Sequence, residues 1–267
     1  MQFERFNKIV NYNKAHMNKI TDYIRDFYSE LGLEKNENIL RIDQLARNEF
    51  EKRKYVMIEL PLKDKEIGAM AYRGDHWGYV FINSSLPKVN VNFALCHEFY
   101  HILFRPDTIR NTIELYENEK YHEDENEKTA SLLAGAILMP EYSFRTMFSK
   151  FQSSLSDEID IVCNLMNYFE APYMATVIRS YELGLFDDYS ERIKRLLNVD
   201  AGTIKTSFEK NWLDSSILSA TCNDQFKKVL AVVEQLGEKE VESGRLKESS
   251  LNKIKNNLEN IYTGLVR

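Results

Sequence analysis

A chain of 267 residues, 43% of them hydrophobic, has material for one large domain or for one domain with a helical extension. Its formal charge of −6 sets up no global field toward nucleic acid or an anionic membrane, so direct DNA binding is not expected. Cys96, Cys163 and Cys222 are too few and too far apart for a disulfide framework or a Cys-x-x-Cys pair, which suits a reducing compartment.

Residues 1–35 read as a packing helix, with Met17, Ile20, Ile24, Phe27 and Leu31 at three- and four-residue steps and Gly32 where a helix would stop. Asn38 to Phe50 gives a shorter helix through Ile42, Leu45 and Ala46. From Tyr55 the period changes to two. The runs Tyr55–Leu60, Ile67–Tyr72 and Trp77–Asn83 are separated by turn-forming Lys63-Asp64-Lys65 and Arg73-Gly74-Asp75, and predict an antiparallel three-strand meander. An edge of such a sheet could take an extended peptide as a further strand, or be covered by a neighbouring segment. Asn83 to Asn90 then loops into a helix, with Asn90 or Asn92 as its N-cap.

That helix carries Cys96-His97-Glu98-Phe99-Tyr100-His101. Two imidazoles four residues apart lie one turn apart on one face, and zinc takes such nitrogens at about 2.0–2.1 Å. Glu98 projects beside a metal held there, where its carboxylate can take a proton from an attacking water. Ala94, Leu95, Phe99, Ile102 and Leu103 supply an apolar body, and Pro106 ends the helix near Phe104 or Arg105. The polar stretch Arg105 to Asp124 follows. A second apolar helix opens at Glu127, and its small residues Ala130, Ser131, Ala134 and Gly135 would let it lie close to the first. That would carry Glu127 to the metal as third ligand and leave a fourth position open for water. Glu114, Glu117, Glu119, Glu123 and His122 compete for the same role, but Glu127 is anchored by a helix. Tyr121 and His122 are candidates for a second hydrogen-bond donor to the oxyanion.

The two motifs, with Glu127, Ala130, Ala134 and the closing Leu138-Met139-Pro140, resemble the ImmA/IrrE family of zinc-dependent metalloproteases over residues 38–186. Where the family usually has Gly before the second His, this chain has Tyr100. The resemblance implies zinc held by His97, His101 and Glu127, Glu98 as general base, and a selective cytoplasmic protease of bacterial or mobile-element origin. The implied substrate is a helix–turn–helix transcriptional repressor, whose cleavage would derepress stress-response or element-transfer genes.

Beyond Pro140, Phe144–Phe151, Ile159–Phe169 and Pro172–Leu183 read as helices of a helix–turn–helix-like unit. Arg179 is the only basic residue of its last helix, which favours packing or partner docking over phosphate contact. Asp224–Leu236 and Ser250–Leu265 are the clearest helices of the remainder, with a charged turn expected from Gly237 to Gly244. The expected architecture is α+β and mainly helical, with a small antiparallel three-stranded sheet on the His97 helix. It divides into a packing helix (1–37), a zincin-like core (38–145), a helical subdomain (146–186) and a helical extension (187–267). The opening residues lack an apolar run behind their charges, and the longest such run, Ala130 to Met139, is half a bilayer's worth; a soluble, cytoplasmic protein is expected. A non-proteolytic, zinc-containing regulator, such as a toxin–antitoxin or repressor-interacting component, is the alternative.

Overall fold

The computed structural model describes residues 1–34, 38–39, 41–74, 76–106, 124–187 and 190–266. Helix α1, Phe3–Glu30, buries Phe6, Val10, Ile20 and Phe27 along one side and stops at Gly32, whose φ of +64° is the left-handed conformation a helix end requires. It lies across the later helices that carry and support the site. Helix α2, Ile42–Lys52, leads through left-handed Lys54 into the first strand.

Strands β1 (Tyr55–Leu60), β2 (Ala69–Arg73) and β3 (Gly78–Asn83) form a sheet in the order β1-β3-β2. β2 pairs antiparallel with β3, as expected, but β1 runs parallel to β3. The sheet is therefore mixed, not an antiparallel meander. The reason lies in the 61–68 connection, which crosses the end of β3 in place of a tight turn. Asn83 pins it there, accepting from Leu62 N at 3.0 Å and donating to the carbonyls of Asp64 and Ile67 at 2.7 and 2.9 Å. Tyr55, Val80 and Ile82 face the main core, whereas Ile58, Leu60 and Phe81 face away from it.

Helix α3, Lys88–Phe104, starts behind Pro87, so neither Asn90 nor Asn92 is its N-cap. Asn92 is buried inside the helix and donates to the carbonyl and carboxylate of Glu170. Phe99 anchors the middle of α3 among the rings of Phe27 and Phe50, at 5.2 and 4.7 Å. Helix α4, Glu125–Leu138, is capped by Asp124, which accepts from Asn126 N, and packs along α3. The close approach uses buried Ala130 and Ala134; Gly135 has no neighbour there. Helices α5 (Glu141–Ser154), α6 (Glu158–Phe169) and α7 (Tyr173–Glu182) follow, then α8 (Ser190–Leu197), α9 (Ala201–Lys210) and a short 3₁₀ helix, Ser215–Leu218.

The chain then returns to the sheet. Gln225 N donates to Glu59 O at 3.0 Å and Gln225 Oε1 accepts from Glu59 N at 3.1 Å, so this segment covers the outer edge of β1. Helices α10 (Phe226–Glu242) and α11 (Glu248–Val266) form a hairpin, and Phe226, Val229 and Tyr262 from its base cover Ile58, Leu60 and Phe81. α10 runs through the expected turn at Gly237, because that glycine is where α11 crosses: a Cβ there would sit 2.2 Å from Leu251 Cδ1. Among the described residues, no helix is long and apolar enough to cross a membrane.

Candidate active site

The apolar body of α3 fixes the rotation of the helix, and that rotation turns His97 and His101 together toward α4. Their Nε2 atoms are 3.1 Å apart. Glu127, in the first turn of α4, brings Oε2 to 2.9 Å from His97 Nε2 and Oε1 to 3.3 Å from His101 Nε2. These three side chains are partly buried and form a group that could hold a metal ion. Four ligands at 2.0–2.1 Å around a tetrahedral zinc would be separated by about 3.3–3.4 Å. The observed separations fall within a few tenths of an ångström of that, and two imidazoles with one carboxylate are a donor set zinc accepts.

The charges answer one another. Burial alone would raise the Glu127 carboxyl, but hydrogen bonds with His101 and His97 outweigh it and hold the group down at about 2. Burial disfavours the charged form of His101, yet the hydrogen bond to Glu127 and the nearby carboxylates of Glu98 and Glu127 raise it on balance. Glu98 is buried, at 7% exposure, and burial pushes its carboxyl up against the opposing pull of His101 and His97. The backbone amide of Ala71, on the outward edge of β2, lies near enough to oppose that rise in small part.

Two further contacts orient the ligand group. Ser131, one turn beyond Glu127, sets its Oγ 3.3 Å from His97 Nδ1, the nitrogen that does not face the candidate metal position. Tyr100 OH donates to Asn126 Oδ1 at 3.4 Å and accepts from Arg105 Nε at 3.3 Å, and its ring packs edge-on against Tyr23 of α1. The bulk of the Tyr100 ring is thus taken up between α1 and α4. The four-residue step from Glu127 to Ser131 was a readable signal; the partners of Tyr100 and the amide of Ala71 had none, since both depend on how distant segments meet. The structure brings His97, His101 and Glu127 together, with Glu98 beside them on α3. Tyr121, His122, Glu114, Glu117, Glu119 and Glu123 lie outside the described residues.

The edge of β2 borders this group. The bonds Asn83 N to Gly68 O and Gly74 N to Trp77 O fix which residues of β2 pair with β3, and the alternate ones, Ala69, Ala71 and Arg73, turn their N–H and C=O outward. A Cβ on Gly68 would come within 2.8 Å of Ala94 Cβ, so this glycine lets β2 lie close on α3. Arg179, by contrast, cannot reach a phosphate: it is 3% exposed and donates to Met139 O and Glu182.

Comparison with known proteins matches residues 50–181 to the family model described as Peptidase_M78, the IrrE N-terminal-like domain. No curated protein matches the chain.

Proposed function

Because residues 50–181 belong to the IrrE N-terminal-like family of M78 peptidases, we propose that this protein is a zinc-dependent metalloprotease that cuts one selected partner protein. The observation that carries the reading is the convergence of His97, His101 and Glu127 beside buried Glu98. His97, His101 and Glu127 would hold the zinc. When bound, the ion would polarise the scissile carbonyl and lower the pKa of a water toward neutrality.

The chain's own groups do the rest. Glu98 takes the proton of the attacking water and returns it to the leaving amine, so that its carboxyl ends the cycle as it began. Its position supports this role, since it is buried beside His97, His101 and Glu127. Ala69, Ala71 and Arg73 offer the outward N–H and C=O groups on which an extended substrate could lie as an added strand. Residues 38–145 would be the hydrolytic unit, 146–186 a packing subdomain and 187–267 a helical extension. The partner proposed from the family resemblance is a cytoplasmic helix–turn–helix repressor.

Elemental analysis of protein purified without added metal tests the proposal. About one zinc per wild-type chain, lost in Glu127→Ala, supports it; no metal in wild type after zinc is supplied refutes it. Glu98→Gln should keep its zinc and lose on the order of 10²–10⁴-fold in cleavage of a co-expressed repressor, followed by the appearance of a new N-terminus. Full biological activity in Glu98→Gln would favour the non-proteolytic regulator, a reading supported by the large region beyond residue 181.

A further inference from the structure

The α10–α11 hairpin has an apolar side that the molecule only half uses. The two helices run antiparallel: Phe226 stacks on Tyr262 at 4.0 Å, Glu234 pairs with Lys255, and Gly237 receives Leu251. At about 100° per residue, Val229, Val232 and Leu236 fall to one side of that contact on α10. Ile254, Ile261 and Leu265 fall to the same side on α11. Val229 meets the sheet. Val232, Leu236 and Ile261 are 54, 57 and 59% exposed, and Ile254 is also exposed.

The charges around this side are sorted. Lys228 lies one turn before Val232 and Lys239 one turn after Leu236, while Lys253 borders Ile254 on α11. None of the three has a carboxylate partner among the described residues. Glu234, Glu238, Glu242, Glu248 and Glu259 lie on the other side of the hairpin. Glu240, nearer the apolar side, is held by Arg245 at 2.5 Å. In a chain of charge −6, this is a local apolar strip with a rim of lysines.

We infer that the strip formed by Val232, Leu236, Ile254 and Ile261 docks an amphipathic α-helix of a protein partner whose apolar stripe is flanked by carboxylates. Four exposed aliphatic side chains, two on each of two adjacent ridges, offer a seat for the apolar stripe of such a helix, and the lysine rim complements its acidic flanks. A second copy of the chain would set lysine rim against lysine rim. An anionic bilayer is disfavoured by the net charge and by the absence of an aromatic side chain among the strip residues. This inference does not depend on hydrolysis.

The test uses the full chain and two labelled synthetic peptides of about 18 residues, each with the same leucine stripe, one flanked by Glu and the other by Lys. Fluorescence anisotropy should show the Glu-flanked peptide binding at least about tenfold more tightly. Val232→Gln with Leu236→Gln should weaken it at least about tenfold. Lys228→Glu with Lys239→Glu and Lys253→Glu should invert the preference, with helical circular dichroism unchanged. Equal binding of the two peptides, or indifference to the variants, overturns the inference. So does a sedimenting dimer dispersed by Leu236→Gln, or binding to phosphatidylserine vesicles in preference to the Glu-flanked peptide.

Discussion

Ser131 contributes to the site through another residue: its Oγ touches His97 Nδ1 at 3.3 Å, and so sets the ring on which the opposite nitrogen must be free. Ser131→Ala removes that contact and nothing from the packing surface, which is formed by Ala130 and Ala134. Zinc affinity, measured by competition with a chromophoric chelator, should fall about 10-fold, with the unfolding midpoint unmoved. An affinity equal to wild type would show that the ring is held by its metal contact and α3 packing alone. The four residues that meet at the site were legible in the sequence because each sits at a fixed step on a helix whose buried side is also readable. Ala71 was not, because a main-chain amide has no sequence identity and its direction depends on strand order.

At the level of elements, Arg179 joins three helices. It donates to Met139 O at the end of α4 and pairs at 3.0 Å with Glu182, which in turn accepts from Asn13 of α1. Arg179→Ala leaves a buried carboxylate without its cation and a helix-end carbonyl without its donor. That should destabilise the fold by about 3–5 kcal/mol, seen as a lower denaturant midpoint with the slope unchanged. A loss below about 0.5 kcal/mol would mean that Glu182 is neutralised some other way. Gly68→Ala tests another junction, since its Cβ would press on Ala94; β2 should shift off α3, and cleavage should suffer more than zinc content. The helices of this protein were largely readable from their period, whereas the parallel pairing of β1 with β3 was not. That pairing depends on Asn83 gathering a connection whose Lys63-Asp64-Lys65 looks like an ordinary turn. The continuation of α10 through Gly237 was equally hidden, because only the neighbouring Leu251 makes glycine the fitting residue in mid-helix.

Across the whole molecule, one buried carboxylate ties the middle helices to those that follow. Asp160 of α6 accepts from Ser207 at 2.6 Å, Lys210 at 2.5 Å and Asn211 at 2.9 Å, all contributed by α9 and its end. Burial raises its carboxyl, but these donors outweigh burial and hold it below the ordinary value of 3.8. A carboxyl depressed in the folded state stabilises the protein above its unfolded pKa, and that contribution fades as pH falls through the lowered value. Wild type should therefore lose thermal stability below about pH 4 more steeply than Asp160→Asn, with the two curves converging in strong acid. Parallel curves would show that Asp160 is not selectively stabilised as its anion.

The return of the chain to β1 also has a consequence in time. Lys63 N–H is bonded to Leu265 O at 2.8 Å, and the edge of β1 at Glu59 is covered by Gln225. Glu59 and Gln225 lie 166 residues apart, and Lys63 and Leu265 about 200, so at a synthesis rate of roughly 5–20 residues per second the later partner follows by roughly 8–40 s on the ribosome. During that interval the nascent sheet has one edge and one apolar face uncovered, while the segments bearing all four candidate site residues have already been made.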